Sequence, residues 1–75
     1  MKIRIKVIGP LMYEAGFSEK ELEVPSAITA EALLDMISIP KKRPRIVTRN
    51  GKAVAPGELL ADGDKIAISP IYSGG

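Results

Sequence analysis

Seventy-five residues, 45% of them apolar, make one small domain whose single hydrophobic core must hold the fold unaided. With 11 basic and 9 acidic side chains the net charge is +2, too small to imply a nucleic-acid partner. The chain has no cysteine and no histidine, which removes disulfides, a thiolate nucleophile, an imidazole base and a zinc site; any part in catalysis is that of a partner or a substrate.

Only Tyr13, Phe17 and Tyr72 are aromatic, so the core falls to Ile, Leu and Val. Lys2-Ile3-Arg4-Ile5-Lys6-Val7 alternates throughout, placing Ile3, Ile5 and Val7 on one face of a strand and three cations on the other. Met1 leads straight into this strand rather than into an apolar signal segment, and no run of 18 apolar residues exists. The expectation is a cytoplasmic protein with no membrane partner. Gly9-Pro10 opens a loop to about Ser18, and Glu21-Leu22-Glu23-Val24 alternates again until Pro25. Paired antiparallel, Lys2, Arg4 and Lys6 face Glu19, Glu21 and Glu23 in a ladder of opposite charges that needs no partner.

Thr29 is a good N-cap, and Ala30, Leu33, Leu34 and Ile37 then form the i, i+3, i+4, i+7 stripe of a helix that Pro40 ends. Lys41 to Arg45 reads as a solvated basic loop, with steering of acidic partner surfaces as its functional alternative. Ile46–Arg49 and Lys52–Ala55 flank Asn50-Gly51, the strongest short hairpin signal. Pro56-Gly57 turns the chain, and Glu58–Ala61 reads as one helical turn. Asp62 and Asp64, on either side of Gly63, are turn formers rather than a metal or acid–base pair. Lys65–Ser69 is a last alternating strand.

The order strand, strand, helix, strand, strand, strand requires one helix to cover one face of a mixed sheet. This is an α+β chain in the β-grasp arrangement, with four to five strands, the first and last parallel at the centre, and the other face open. Ile8, Ile46, Ile71 and Tyr72 are then candidates for an apolar docking patch on the open face near the chain's end. Pro70 cannot donate to a ladder, so the domain is expected to span 1–71 and to release residues 72–75 as a tail. Gly74 and Gly75 carry no side chains and suit a narrow channel in a partner.

The chain resembles the β-grasp, ubiquitin-like sulfur carriers: the small subunit of molybdopterin synthase and the thiamine-pathway carrier. Asn50-Gly51, Leu60 with Asp62-Gly63-Asp64, Ile66, Ile68 and the tail Pro70-Ile71-Tyr72-Ser73-Gly74-Gly75 carry the likeness. The resemblance implies that an E1-like, ATP-using enzyme adenylates the Gly75 carboxylate and that sulfur then replaces the adenylate as a thiocarboxylate. It also implies that Tyr72, Ser73 and Gly74 thread a partner's channel. No cofactor is expected to be bound; ATP belongs to the activating enzyme. Gly9 to Gly16, Pro70 and Ser73 resemble the molybdopterin type, whose partner is the synthase large subunit, whereas the short Ile39–Arg45 link resembles the thiamine type. The competing functions are a ubiquitin-like modifier joined to lysines through Gly75 and an RNA-binding appendage. Three aromatics and a paired charge ladder argue against the latter.

Overall fold

The computed structural model describes residues 1–39 and 45–71. Alternation in the first strand, β1 (Lys2–Val7), is realised in full: Ile3, Ile5 and Val7 are buried and the cations between them exposed. The chain then forms α1 (Leu11–Ala15), β2 (Glu19–Glu23), α2 (Ala30–Met36), β3 (Arg45–Arg49), β4 (Lys52–Ala53) and β5 (Lys65–Pro70). The five strands make one sheet in the order β2-β1-β5-β3-β4, in which β1 and β5 are parallel and the other pairs antiparallel. One sheet face packs on α2 through Leu33, Leu34 and Ile37, with Ile66 and Ile68 of β5 fully inside the core. Leu22, whose alternation with Glu21 and Glu23 turns it toward that core, is only half-buried, because β2 is the sheet's edge.

The expected single helix is corrected to two. The loop after Gly9 contains α1, started by Pro10 and ended by Gly16 at φ +83°, whose amide donates to the Met12 carbonyl at 2.8 Å. Proline at the start and glycine past the end is the asymmetry that helices favour. Leu11 is its buried anchor.

Two further expectations give way. The helix α2 stops at Met36, before Pro40 can end it: Ser38 turns left-handed at φ +64° and the Ile39 amide returns to the Leu34 carbonyl at 3.1 Å. Glu58–Ala61 is not a helical turn. Its backbone runs extended beside the start of α2, where Leu59 bridges Thr29. The physical reason lies in the unpaired amides of the first helical turn. Ala30 donates to the Glu58 carbonyl at 3.0 Å, Glu31 to the Pro56 carbonyl at 2.9 Å, and Ala32 to Thr29 Oγ1 at 3.1 Å. Leu60 is thereby buried and Leu59 left outside.

Thr29→Ala removes one of these acceptors. A lost cap costs about 1 kcal/mol, which in a domain of this size lowers the thermal midpoint by roughly 4–8 °C. Calorimetry on the two proteins checks this, and an unchanged midpoint would show that water replaces the hydroxyl.

The β2 edge is protected against pairing with other chains. Lys20 lies opposite Ile5 and so points toward the core side, with its ammonium 5.6 Å from the Phe17 ring centre. An inward-pointing charge on an edge strand discourages a further strand from adding there.

Candidate functional site: the open sheet face and the end of the central strand

Among the described residues no element covers the face opposite α2, and its two ends differ in chemistry. At one end stand the outward residues of β1 and β2. Lys2, Arg4 and Lys6 lie directly across from Glu23, Glu21 and Glu19. The ion pairs form one step along this ladder: Lys2 reaches Glu21 at 3.9 Å and Arg4 reaches Glu19 at 3.5 Å. Both are exposed, so each contributes under about 1 kcal/mol. The shift leaves Lys6 facing only Glu19, which already pairs with Arg4, beside a strand that adds Lys65 next to Arg4.

At the other end the outward residues turn apolar and small. Ile46 pairs with Ser69, and Thr48 with Ala67. Ile8 continues the outward parity of Lys6, and its amide donates to the Ile68 carbonyl at 2.9 Å. Extending the β1–β5 register from Val7 and Ile68 sets Ile8 beside Ser69, so Ile8, Ser69 and Ile46 form a row across three strands. Ile8 is 40% exposed, Ile46 45% and Ile71 51%. Three large aliphatic side chains held half-open by a small central residue make a shallow apolar seat.

The strand that ends at this seat is central, lying between β1 and β3. It runs one residue further than expected, because Pro70 still pairs with Arg45. Proline is tolerated there since the strand is finishing and its missing amide is not needed. Arg45 is accordingly part of β3 and not of the basic loop. Lys41, Lys42 and Arg43 of that loop, and Tyr72, Ser73, Gly74 and Gly75 of the expected tail, lie outside the described residues.

The turns at the opposite pole are tied together by Asp64, the one charged side chain that is buried among the described residues. Its Oδ2 accepts from the Ala61 amide at 2.8 Å and its Oδ1 from Asn50 Nδ2 at 3.2 Å. Asp62 Oδ1 accepts from the Lys2 amide at 2.7 Å. Both aspartates are turn residues, as their sequence suggests. The Asn50–Asp64 link was not foreseeable, since the two lie in separate turns that only the β3–β5 register brings together. Among the described residues no three acidic side chains gather closely enough to hold a metal ion, and no helix is long and apolar enough to cross a membrane.

Comparison with known families matches residues 5–75 to the ThiS family. Comparison with curated protein sequences gives no match. Among solved structures the chain is similar to SAMP1 from Haloferax volcanii, at 27% identity, 100% coverage of both chains and a TM-score of 0.80. It is similar to a ubiquitin from Caldiarchaeum subterraneum at 30% identity, covering 100% of this chain and 98% of that one, with a TM-score of 0.64. A chain from the complex of subunits 1 and 2 of the molybdopterin-converting factor of Helicobacter pylori shares the fold, at 16% identity, 100% coverage of both and a TM-score of 0.69. With a family match over nearly its whole length and a β-grasp sheet beneath it, the chain belongs to the ThiS family, among the β-grasp proteins that act as sulfur carriers or ubiquitin-like modifiers.

Proposed function

We propose that the protein carries sulfur as a thiocarboxylate on Gly75, most directly for molybdopterin synthesis. The observation that carries this is the family match reaching residue 75, so that Gly74-Gly75 belongs to the matched region. The chain has no histidine or cysteine to act as base or nucleophile, which leaves its carboxylate as the reacting group. A carboxylate is a poor electrophile. Attack of a Gly75 oxygen on the α-phosphorus of ATP, with pyrophosphate leaving, makes an acyl-adenylate. Hydrosulfide then displaces AMP, and the thiocarboxylate so formed hands its sulfur to an acceptor. The ATP site belongs to an E1-like partner. Ser73 and Gly74 fit a channel that admits only a narrow chain, with Tyr72 at its mouth.

The partner docks on the apolar seat at Ile8, Ile46 and Ile71, from which the tail reaches its active site. Four residues beyond Ile71 extend about 13–14 Å. The large subunit of a molybdopterin-converting factor is the acceptor this favours, since the Helicobacter pylori relative is found in complex with a second subunit. The thiamine pathway is the alternative acceptor. A second function, attachment to protein lysines, draws on two relatives above 25% identity, one a SAMP and the other a ubiquitin. Activation is common to both.

Intact-mass measurement on protein from its native host tests the proposal. An oxygen-to-sulfur exchange at Gly75 supports the carrier; Gly75 joined to substrate lysines in digests, with no thiocarboxylate, would replace it by the modifier. Docking is tested separately. Ile46→Asp or Ile71→Asp should weaken capture by the activating enzyme about thirtyfold, the scale of an interface anchor worth about 2 kcal/mol. Both variants should stay folded, because neither side chain is buried. Unweakened binding would move the interface off this face.

A further inference from the structure

Asn50 is the only asparagine of the chain, and there is no glutamine, so its side chain is the protein's single side-chain carboxamide. It precedes Gly51, whose lack of a side chain leaves the amide nitrogen open to approach the Asn50 Cγ. Both residues adopt left-handed backbone angles, φ +52° and +87°, as a two-residue hairpin turn requires. The geometry points to Asn50 as a covalent modification site, a deamidation site that the native fold holds locked.

The lock consists of two hydrogen bonds on the carboxamide. The Lys65 amide donates to Asn50 Oδ1 at 3.0 Å, and Asn50 Nδ2 donates to Asp64 Oδ1 at 3.2 Å. The Asn50 amide in turn donates to the Lys65 carbonyl at 2.8 Å. These contacts hold the carboxamide toward β5 and the Asp64 turn. Asp64 is itself fixed by burial and by the Ala61 amide. The Gly51 side of the turn is open: a Cβ placed there would meet nothing within 4 Å, so no neighbouring side chain has to move when the turn rearranges.

When the hairpin opens, the Gly51 nitrogen attacks Asn50 Cγ. A carbon–nitrogen bond forms, the Cγ–Nδ2 bond breaks, and ammonia leaves with the proton of the Gly51 amide. Water then opens the succinimide at either carbonyl, giving aspartate or isoaspartate. Neither product can re-form the lock. Aspartate sets a carboxylate against that of Asp64, and isoaspartate adds a methylene to the main chain inside a turn that has no slack. Deamidation therefore records, irreversibly, each opening of the β3–β4 hairpin that outlasts the attack.

The experiment follows intact mass during incubation in mildly alkaline buffer, for the native protein, the same protein in denaturant, and the variants D64A and D64S. With a single carboxamide present, the gain reports Asn50 alone; isomerisation of Asp62-Gly63 leaves the final mass unchanged. The folded protein should deamidate about tenfold or more slowly than the denatured chain, because reaction then waits on local opening. D64A should bring the folded rate most of the way to the denatured one while circular dichroism still shows a sheet. Should D64A fail to fold, D64S decides, since its single hydroxyl oxygen cannot stand at both the Ala61 amide and Asn50 and it adds no second carboxamide. Equal rates in folded and denatured protein would overturn the proposal. So would a folded variant that deamidates as slowly as the native chain.

Discussion

Removal of Gly75 alone should abolish ATP-dependent activation while the thermal midpoint stays where it was. The proposed chemistry resides in one carboxylate, whereas the described contacts of the core lie within residues 1–71. The shortened chain still ends in a carboxylate, preceded by Ser73 and Gly74, but that carboxylate sits about 3.5 Å short of the reaction centre. Reacting atoms must come within about 3–3.5 Å in the right alignment, and a displacement of this size costs a hundredfold or more in rate. Gly74→Val meets the same site from the side, since a β-branched residue stiffens the chain and widens it where bare backbone is required. Adenylate formation by the cognate activating enzyme and thermal unfolding, measured on the same samples, separate the two effects. Activation of the shortened protein at the normal rate would end the carrier proposal. A midpoint many degrees lower would show that the tail belongs to the fold.

What the sequence made legible follows the strength of its periodic signals. The six-residue alternation of β1, the stripe of α2 and the Asn50-Gly51 turn each state an element and the side it buries. From their order, the parallel pairing of β1 with β5 follows. The features that escaped have no period of their own. The helix α1 is five residues long, too short for a stripe, and only its Pro10 and Gly16 boundaries mark it. Glu58–Ala61 carries good helix formers, but the Ala30 amide takes the Glu58 carbonyl and the Leu60 amide donates to the Ile28 carbonyl, and tertiary hydrogen bonds outweigh a propensity of tenths of a kcal/mol per residue. At the candidate site, exposure of Ile8 and Ile46 was readable from alternation. Their alignment on either side of Ser69 depends on register, which alternation constrains only to within two residues.

That register has a direct energetic test in two neighbouring strands. Ile68 and Ile46 both belong to the β3–β5 pair, yet Ile68 is 0% exposed and faces α2, whereas Ile46 is 45% exposed and faces the open side. Ile68 stands between Val7 of β1 and Val47 of β3, at the middle of the sheet, where no loop can relax into a void. Truncating a buried isoleucine to alanine costs about 2–5 kcal/mol, the spread reflecting how far the site collapses. A 75-residue domain has roughly 4–11 kcal/mol of stability in total, and this one has no disulfide to fall back on. Ile68→Ala should therefore lower the midpoint by on the order of 10–25 °C and leave part of the protein unfolded at physiological temperature. Ile46→Ala removes the same atoms from a half-open position and should cost well under half as much. Denaturant unfolding of the two variants, with m-values checked for constancy, gives the comparison. If Ile46→Ala destabilised the protein as much as Ile68→Ala, the face read here as open would be packed, and no partner could seat on Ile8, Ile46 and Ile71 without first displacing what covers them.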